Sequence, residues 1–389
     1  MYRLVFLTGT RADYGKLKSI MQLCEKDSSF EIYVYVTGMH LCSEYGQTAD
    51  EIKKDGYNNI IINEDYKQTE KMDENTALTM LAFSKFVREI KPDLIVVHGD
   101  RTEPLAGAAV GVLNNIKVAH IEGGEVTGTA DEFMRHAVTK LSSYHFVAND
   151  EAKFRVLQLG EKEENVFVIG SPDIDIMLSD SLPKLIDVKE KYSVNFDKYS
   201  VCIYHPVTTD NDTAKKAENL AEALKKSEKN YVIIKSNNDF NNEIIIEKFD
   251  RLRGNKNFVF YDSLPFEEFL TLLKNAEFII GNSSAGVREA CVYGVPAIDL
   301  GTRQNKRYNT QIMRNIIHTD ENTDEILTAI SKANEHRFFS RYFGNGNSAT
   351  LFCAAIKNRL AKEESVQKVF VDLEVTSKSI ENYINEVCY

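Results

Sequence analysis

The chain has 389 residues, 43% hydrophobic and 27% charged; these are the proportions of a globular protein, and the length exceeds one ordinary core, so two domains are expected. A net charge of −11 argues against nucleic acid as a partner, because phosphate-backbone binding needs a basic surface, and no apolar run approaches the roughly 20 residues that span a bilayer. Six scattered cysteines without CxxC spacing fit buried thiols better than disulfides or zinc, and "MYRLVFLTGTRAD" lacks a signal-peptide apolar region, so the cytoplasm is the expected location.

In chain order, short runs rich in Val, Ile, Phe and Tyr alternate with helix-length amphipathic stretches, the pattern of parallel βαβ units. The first half offers the strands "RLVFLTG", "EIYVYVTG", "NIIIN", "DLIVVHGD", "KVAHIEGG", "HFVAND" and "VFVIGS". The second offers "SVCIYHP", "YVIIKSN", "FVFYDS", "FIIGNSS", "PAIDLGT" and "NIIHTD". The class is therefore α/β, with two doubly wound domains. We place the first at 1–180, a hinge at 181–197 containing part of a proline-bearing connection, the second domain at 198–358, and a C-terminal helix and tail at 359–389 that crosses back to the first domain.

Open parallel sheets bind ligands beyond the carboxyl ends of their strands. Those positions carry "TGTRAD", "TGMH", "HGDR" and "HIEGGE" in the first domain, and "HPVTTD", "SNND", "GNSSAGVREA" and "LGTRQNKR" in the second. "GNSSAGVREA" follows a strand and opens a helix. Its small residues, Gly286 among them, let the backbone approach an anion, Ser283 and Ser284 add hydroxyls, and Glu289 is placed to accept ribose hydroxyls. A plain Ser-capped turn explains the same run. The order G-x-G-x-x-G is absent, so dinucleotide binding is not supported. Arg11 and Arg303 are further phosphate candidates.

The segment "HIEGGEVTGTADEFMRHAVTK", His120 to Lys140, gathers Glu122, Glu125, Asp131 and Glu132 among glycines. His98 with Asp100, and His120 with Glu122, are each two residues apart at a strand end, which directs each pair to one side of the sheet. Metal ligation and metal-free proton transfer both suit such a cluster, and a solvated acidic loop with satisfied histidines is the plainer alternative.

Taken together, "TGTRADYGKL", "VVHGDR", "HIEGGEVTGT", "RHAVTKLS", "HPVTTD", "IGNSSAGVREA" and "LGTRQ" resemble the hydrolysing UDP-N-acetylglucosamine 2-epimerases of sialic acid and bacterial capsule synthesis, and "VQKVFVDL" near the end is similar to the capsule branch. The resemblance implies a glycosyltransferase-B-type fold, two Rossmann-like domains facing across a cleft. It implies conversion of UDP-N-acetylglucosamine and water to N-acetylmannosamine and UDP with no cofactor and no metal, in a homo-oligomer, dimer or tetramer, that engages neither nucleic acid nor membrane. By position it implies catalytic roles for Asp100, Glu122 and Asp131, with Glu132 beside them, and substrate contact by His205. Arg11, Arg101, Asn237, Ser283, Ser284, Glu289 and Arg303 fall to nucleotide or phosphate. Where relatives read "PNNDxG" this chain has "SNNDFN", Ser236 to Asn241. Alternatives are the same reaction on UDP-2,4-diacetamido-2,4,6-trideoxyglucose, a non-hydrolysing epimerase, a silent nucleotide-sugar-binding module and a metal-dependent hydrolase.

Overall fold

The computed structural model describes residues 1–42, 48–64, 66, 67, 69, 71–126, 130–207, 212–235, 242–305, 307–362 and 365–372. The chain divides into two compact units, Met1–Ile169 with Ala349–Tyr389, and Gly170–Ser348.

The first unit runs β1 (Tyr2–Thr8), α1 (Arg11–Lys26), β2 (Phe30–Val36), α2 (Ala49–Lys54), β3 (Ile60–Ile62), α3 (Met72–Ile90) and β4 (Leu94–His98). It continues through α4 (Thr102–Leu113), β5 (Lys117–Ile121), α5 (Ala130–Leu141), β6 (Tyr144–Val147), α6 (Asp150–Gln158) and β7 (Val166–Val168). The strands form one parallel sheet in the order β3-β2-β1-β4-β5-β6-β7. Winding proceeds outward in both directions from β1 and β4, and helices cover both faces, so the strands are apolar throughout rather than alternating with polar residues. Along β1, Leu4 and Phe6 enter one core while Val5 and Leu7 enter the other. Thr10 starts α1 with a capping box: its hydroxyl accepts from the Asp13 amide, and Asp13 accepts from the Thr10 amide.

The second unit contains α7 (Asp173–Met177), α8 (Leu185–Lys191), β8 (Ser200–Ile203), α9 (Thr213–Lys226), β9 (Tyr231–Ile234), α10 (Asn242–Asp250) and β10 (Phe258–Tyr261). Then follow α11 (Phe266–Lys274), β11 (Ile279–Gly281), α12 (Ser284–Val287), α13 (Glu289–Val292), β12 (Ala297–Leu300), β13 (Ile316–Thr319) and α14 (Thr323–Lys332). Its parallel sheet has the order β10-β9-β8-β11-β12-β13, with the reversal between β8 and β11. Both sheets therefore have the doubly wound, Rossmann-like α/β topology that the strand pattern predicts.

The boundaries differ from those expected. Residues 170–197 belong to the second unit: Tyr293 donates to the Met177 carbonyl at 2.9 Å, Thr271 to the Pro183 carbonyl at 2.9 Å, and Lys191 pairs with Glu268 at 2.6 Å. The helix α15 (Ser348–Leu360), assigned from sequence mostly to the second domain, falls from Ala349 onward in the first unit. Its Phe352 ring lies 4.6 Å from Phe146 and 6.4 Å from Phe6, and its Cys353 thiol lies 3.3 Å from that of Cys24. Cys24, Cys42, Cys202, Cys291 and Cys353 are free thiols, and Cys388 lies outside the described residues. Among the described residues no helix is long and apolar enough to cross a membrane.

Two glycines in one loop region make opposite demands. At Gly281, with φ +136°, an added Cβ would lie 1.9 Å from the Ile203 carbonyl oxygen, whereas at Gly286 nothing would be nearer than the Ala297 Cβ at 3.5 Å. Gly281→Ala is expected to destabilise the protein by more than about 3 kcal/mol in urea unfolding, and Gly286→Ala by less than about 1 kcal/mol; equal midpoints for the two variants would refute the close approach of β8 and β11.

Candidate active site

In the first unit the polar strand ends meet where β1 and β4 wind apart. Asp13 is consumed in shaping the β1 loop, accepting from Thr8 Oγ1 at 2.7 Å and from the amides of Gly9 and Thr10 at 2.9 and 3.0 Å. His40 follows suit, lying 2.9 Å from Thr8 Oγ1 through Nε2 and 2.5 Å from Thr48 Oγ1 through Nδ1. Arg11 and Arg101, at the ends of β1 and β4, keep half-exposed guanidinium groups, the first beside Glu51 at 3.4 Å and the second beside Glu103 at 3.7 Å.

Glu122 is held by both its backbone and its side chain. Its backbone takes φ +62°, rare for a residue with a side chain, while its amide continues the ladder to the Phe146 carbonyl at 2.8 Å. The buried side chain accepts from Lys16 Nζ at 3.0 Å and from His98 Nε2 at 3.2 Å. The imidazole that reaches Glu122 is thus His98 from the neighbouring strand. His120 does not join the carboxylate cluster as the two-residue spacing suggests: its ring is buried beneath the strand ends, with Nε2 donating to the Gly99 carbonyl at 2.8 Å and Nδ1 lying 3.1 Å from Thr139 Oγ1. His120 is a structural histidine, satisfied on both nitrogens.

Asp100 is paired with Arg135 of α5, a buried guanidinium that also donates to the Glu125 carbonyl at 2.9 Å. Asp131 sits four residues before Arg135 and so shares its helix face, exposed at the first turn, and Glu132 lies 3.7 Å from His136. The helix α5 therefore carries both Asp131 and the cation that orders Asp100. Gly124, with φ +78°, brings the acidic loop so close to α6 that a Cβ would lie 2.3 Å from the Ala152 carbonyl oxygen. Gly128 lies outside the described residues. Glu103, which sequence reasoning passed over, is buried against Gly9 and Gly38, and burial raises its carboxyl above the usual range.

In the second unit the strand ends of β8 and β11 are stapled by Asn282, whose carboxamide accepts from the His205 amide at 2.7 Å and donates to the His205 carbonyl at 2.8 Å. Its own carbonyl receives Gln304 Nε2 at 2.8 Å and Arg303 Nη1 at 3.3 Å. One buried residue thus positions His205 through its side chain and Arg303 through its backbone carbonyl, directly before the serine run. Ser283 caps α12, accepting from the Ala285 amide at 3.3 Å, and Ser284 is the first residue of that turn. The expected single helix after the strand is two four-residue turns, interrupted at Arg288, with Glu289 starting the second. Arg288 leaves the run to donate to Ser171 Oγ at 2.7 Å, and its guanidinium lies 4.7 Å from the Phe343 ring centre. The glycine at 286 faces Ala297 and Ile279 of the sheet at ordinary van der Waals distance, so among the described residues of this unit nothing requires its small size. Asn237 lies outside the described residues.

Lys16, Arg135, Glu103, Asn282 and Gln304 were not singled out from sequence. Lys16 and Arg135 do stand inside motifs that were, and the i, i+4 spacing of Asp131 and Arg135 was the available signal. Among the described residues no trio of His, Cys, Asp or Glu is grouped as metal ligands would be.

Burial holds the imidazoles of His120 and His205 down to about 3, with the nearby Arg303 charge adding to the effect at His205. Their ordinary value is 6.5, so the unfolded chain binds protons that the folded chain refuses between those limits, and stability falls as pH drops below 6.5. The urea midpoint is expected to decline from pH 6.5 towards 4, with a shallower slope in His205→Asn; a slope unchanged by that substitution would show that His205 titrates normally.

The sequence of residues 22–357 matches the family model described as UDP-N-acetylglucosamine 2-epimerase. The chain is 42% identical to a UDP-N-acetylglucosamine 2-epimerase of Neisseria meningitidis over 96% of this chain and 100% of the relative. It is 32% identical to a UDP-N,N'-diacetylbacillosamine 2-epimerase (hydrolyzing) of Legionella pneumophila over 89% of this chain and 93% of the relative. Among solved structures, UDP-GlcNAc 2-epimerase of Methanocaldococcus jannaschii aligns with a TM-score of 0.75 and 26% identity, covering 92% of this chain and 99% of that one. With its two doubly wound sheets and this extent of shared sequence, the chain belongs to the UDP-N-acetylglucosamine 2-epimerase family.

Proposed function

We propose that the chain is a hydrolysing epimerase that converts UDP-N-acetylglucosamine and water to UDP and N-acetylmannosamine. The observation that carries this reading is the set of carboxylates at the β1–β4 switch point, Glu122 held by Lys16 and His98 and Asp100 held by Arg135, with Asp131 on the same helix as that arginine. The similarity to the Neisseria and Legionella epimerases supports the sugar class, and the Legionella name supports the hydrolysing outcome. A cytoplasmic setting fits the five free thiols.

A sugar C2–H is too weakly acidic for an unaided carboxylate. As the C1–O bond to the diphosphate lengthens, C1 gains oxocarbenium character and the C2 proton becomes labile, so a modest base suffices. The C2–H electron pair then forms the C1=C2 bond of 2-acetamidoglucal, and the C1–O pair leaves on UDP. Protonation of C2 from the opposite face and addition of water at C1, with loss of a proton from that water, give the inverted amino sugar. We assign Asp100, Glu122 and Asp131 jointly to these transfers, with Glu132 adjoining them. Arg11, Arg101, Arg303, Ser283 and Ser284 are assigned to the departing diphosphate, whose growing charge they would stabilise. Glu289 and Asn237 are assigned to the nucleoside. His205, kept neutral by burial, is suited to donate a hydrogen bond without adding a charge. The same reaction on a diacetamido-trideoxy sugar is the second reading, favoured by the Legionella relative.

Proton and phosphorus NMR of a reaction on UDP-N-acetylglucosamine is expected to show free N-acetylmannosamine and UDP in equal amounts. A UDP-linked N-acetylmannosamine product would overturn the hydrolytic reading, and activity confined to the diacetamido substrate would move the assignment to the second. In the same assay Asp100→Asn and Glu122→Gln are expected to turn over roughly 10²-fold more slowly while still binding UDP, and Glu289→Ala to bind UDP more weakly.

A further inference from the structure

Beyond α15 the described chain resumes at 365–372 and lies along the first unit. Lys368 Nζ donates to the carbonyl oxygens of Thr139, Lys140 and Ser142 at 3.2, 2.9 and 2.7 Å, and pairs with Glu161 at 2.6 Å. Those carbonyls close the C-terminal turn of α5, where a helix leaves acceptors unpaired and its dipole favours a cation. The tail is anchored again three residues on: the Val371 amide donates to the Gly160 carbonyl at 3.0 Å, and the Phe370 ring covers Gly160, where a Cβ would lie 2.4 Å from it. Lys140 Nζ stands 4.9 Å from the centre of the Phe370 ring and donates to Glu161 at 2.7 Å, while His145 donates to the same carboxylate at 3.0 Å. Burial alone would raise the Glu161 carboxyl, but these bonds overcome it and hold the group at about 2.

The opposite end of α5 bears Asp131, Glu132 and Arg135, and the last of these orders Asp100. A second connection runs inward from the capped turn, from Thr139 Oγ1 to His120 and from His120 to the Gly99 carbonyl, beside Asp100. We propose that the C-terminal strap Ser365–Val371 sets the position of the acid–base helix, and that Lys368 is a positioning residue for the reaction, acting through the carbonyl end of α5. This rests on the reading above that residues of α5 serve proton transfer. The strap touches no substrate; it fixes the axial placement of a helix whose first turn must meet the sugar within a few tenths of an ångström, and displacements near 1 Å cost about 10²-fold in rate.

The test compares Lys368→Met, Lys368→Arg and Phe370→Ala in the full chain by steady-state kinetics, UDP calorimetry and amide hydrogen exchange of residues 136–142. Lys368→Met is expected to speed exchange in the last turn of α5 and to lower kcat roughly ten- to hundredfold with KM and UDP affinity within about twofold. Lys368→Arg, which keeps a cationic donor, is expected to restore most of kcat, and Phe370→Ala to produce a smaller loss of the same kind, so the outcome is read even where Lys368→Met folds poorly. Unchanged exchange, or faster exchange with unchanged kcat, overturns the proposal, as does a parallel loss of kcat and UDP affinity that Lys368→Arg fails to restore. Asp131→Asn run alongside separates the two claims: full activity in that variant would defeat the proton-transfer reading of α5, while exchange in Lys368→Met still decides whether the strap holds the helix.

Discussion

A carboxylate that is 6% exposed must be paired or protonated, and Glu122 is paired on both oxygens, by Lys16 from α1 and His98 from β4. Losing both partners would leave a charge in a site that water hardly reaches. The pairing therefore ties three consecutive pieces of the switch point together, the first helix, the fourth strand and the loop after the fifth. It also accounts for the left-handed backbone at Glu122: the amide must still meet Phe146 while the side chain turns to Lys16 and His98, and a strain on the order of 1–3 kcal/mol is tolerated because those two contacts and the ladder together over-determine the geometry.

Around that centre the first unit uses buried charge to hold catalytic candidates, and the second uses neutral amides. Asp100 depends on Arg135, and Arg135 depends on where α5 stands. His205 and Arg303 depend instead on Asn282, which takes four hydrogen bonds without carrying a charge. The difference suits the chemistry proposed for each. Proton-transfer groups need partners that hold an anionic form, while a phosphate-binding edge is served by neutral donors that set its position.

Much of this was legible in the sequence because strand ends in parallel sheets announce themselves: an apolar run stops and "HGDR", "HIEGGE", "HPVTT" or "GNSS" begins. The two sheets and most strand positions follow from that punctuation. Harder to read was which polar residue faces which. His98 and His120 occupy equivalent places in their motifs, yet one meets Glu122 and the other turns beneath Gly99, because the β4–β5 register sets His120 beside Val97 and His98 beside Ile121, so the two rings leave opposite faces of the sheet. Lys16 and Arg135 lie on helices with polar faces, where a charged residue usually means solvent. The unit boundary was misplaced because the charged, proline-bearing stretch after Gly170 has the composition of a linker; Tyr293, Thr271 and Glu268, far away in sequence, hold it on the second unit.

The central claim is that carboxylates of the first unit exchange the hydrogen at C2 of the sugar, and its most direct measurement is the isotopic composition of N-acetylmannosamine formed in heavy water. Carboxylates equilibrate with solvent rapidly, and groups on opposite faces of a ring do not hand over one proton. The account predicts one deuterium at C2 in essentially every product molecule from the first turnover. Complete retention of the original hydrogen at C2 would contradict it, and would remove Glu122, Asp100 and Asp131 from the role assigned to them.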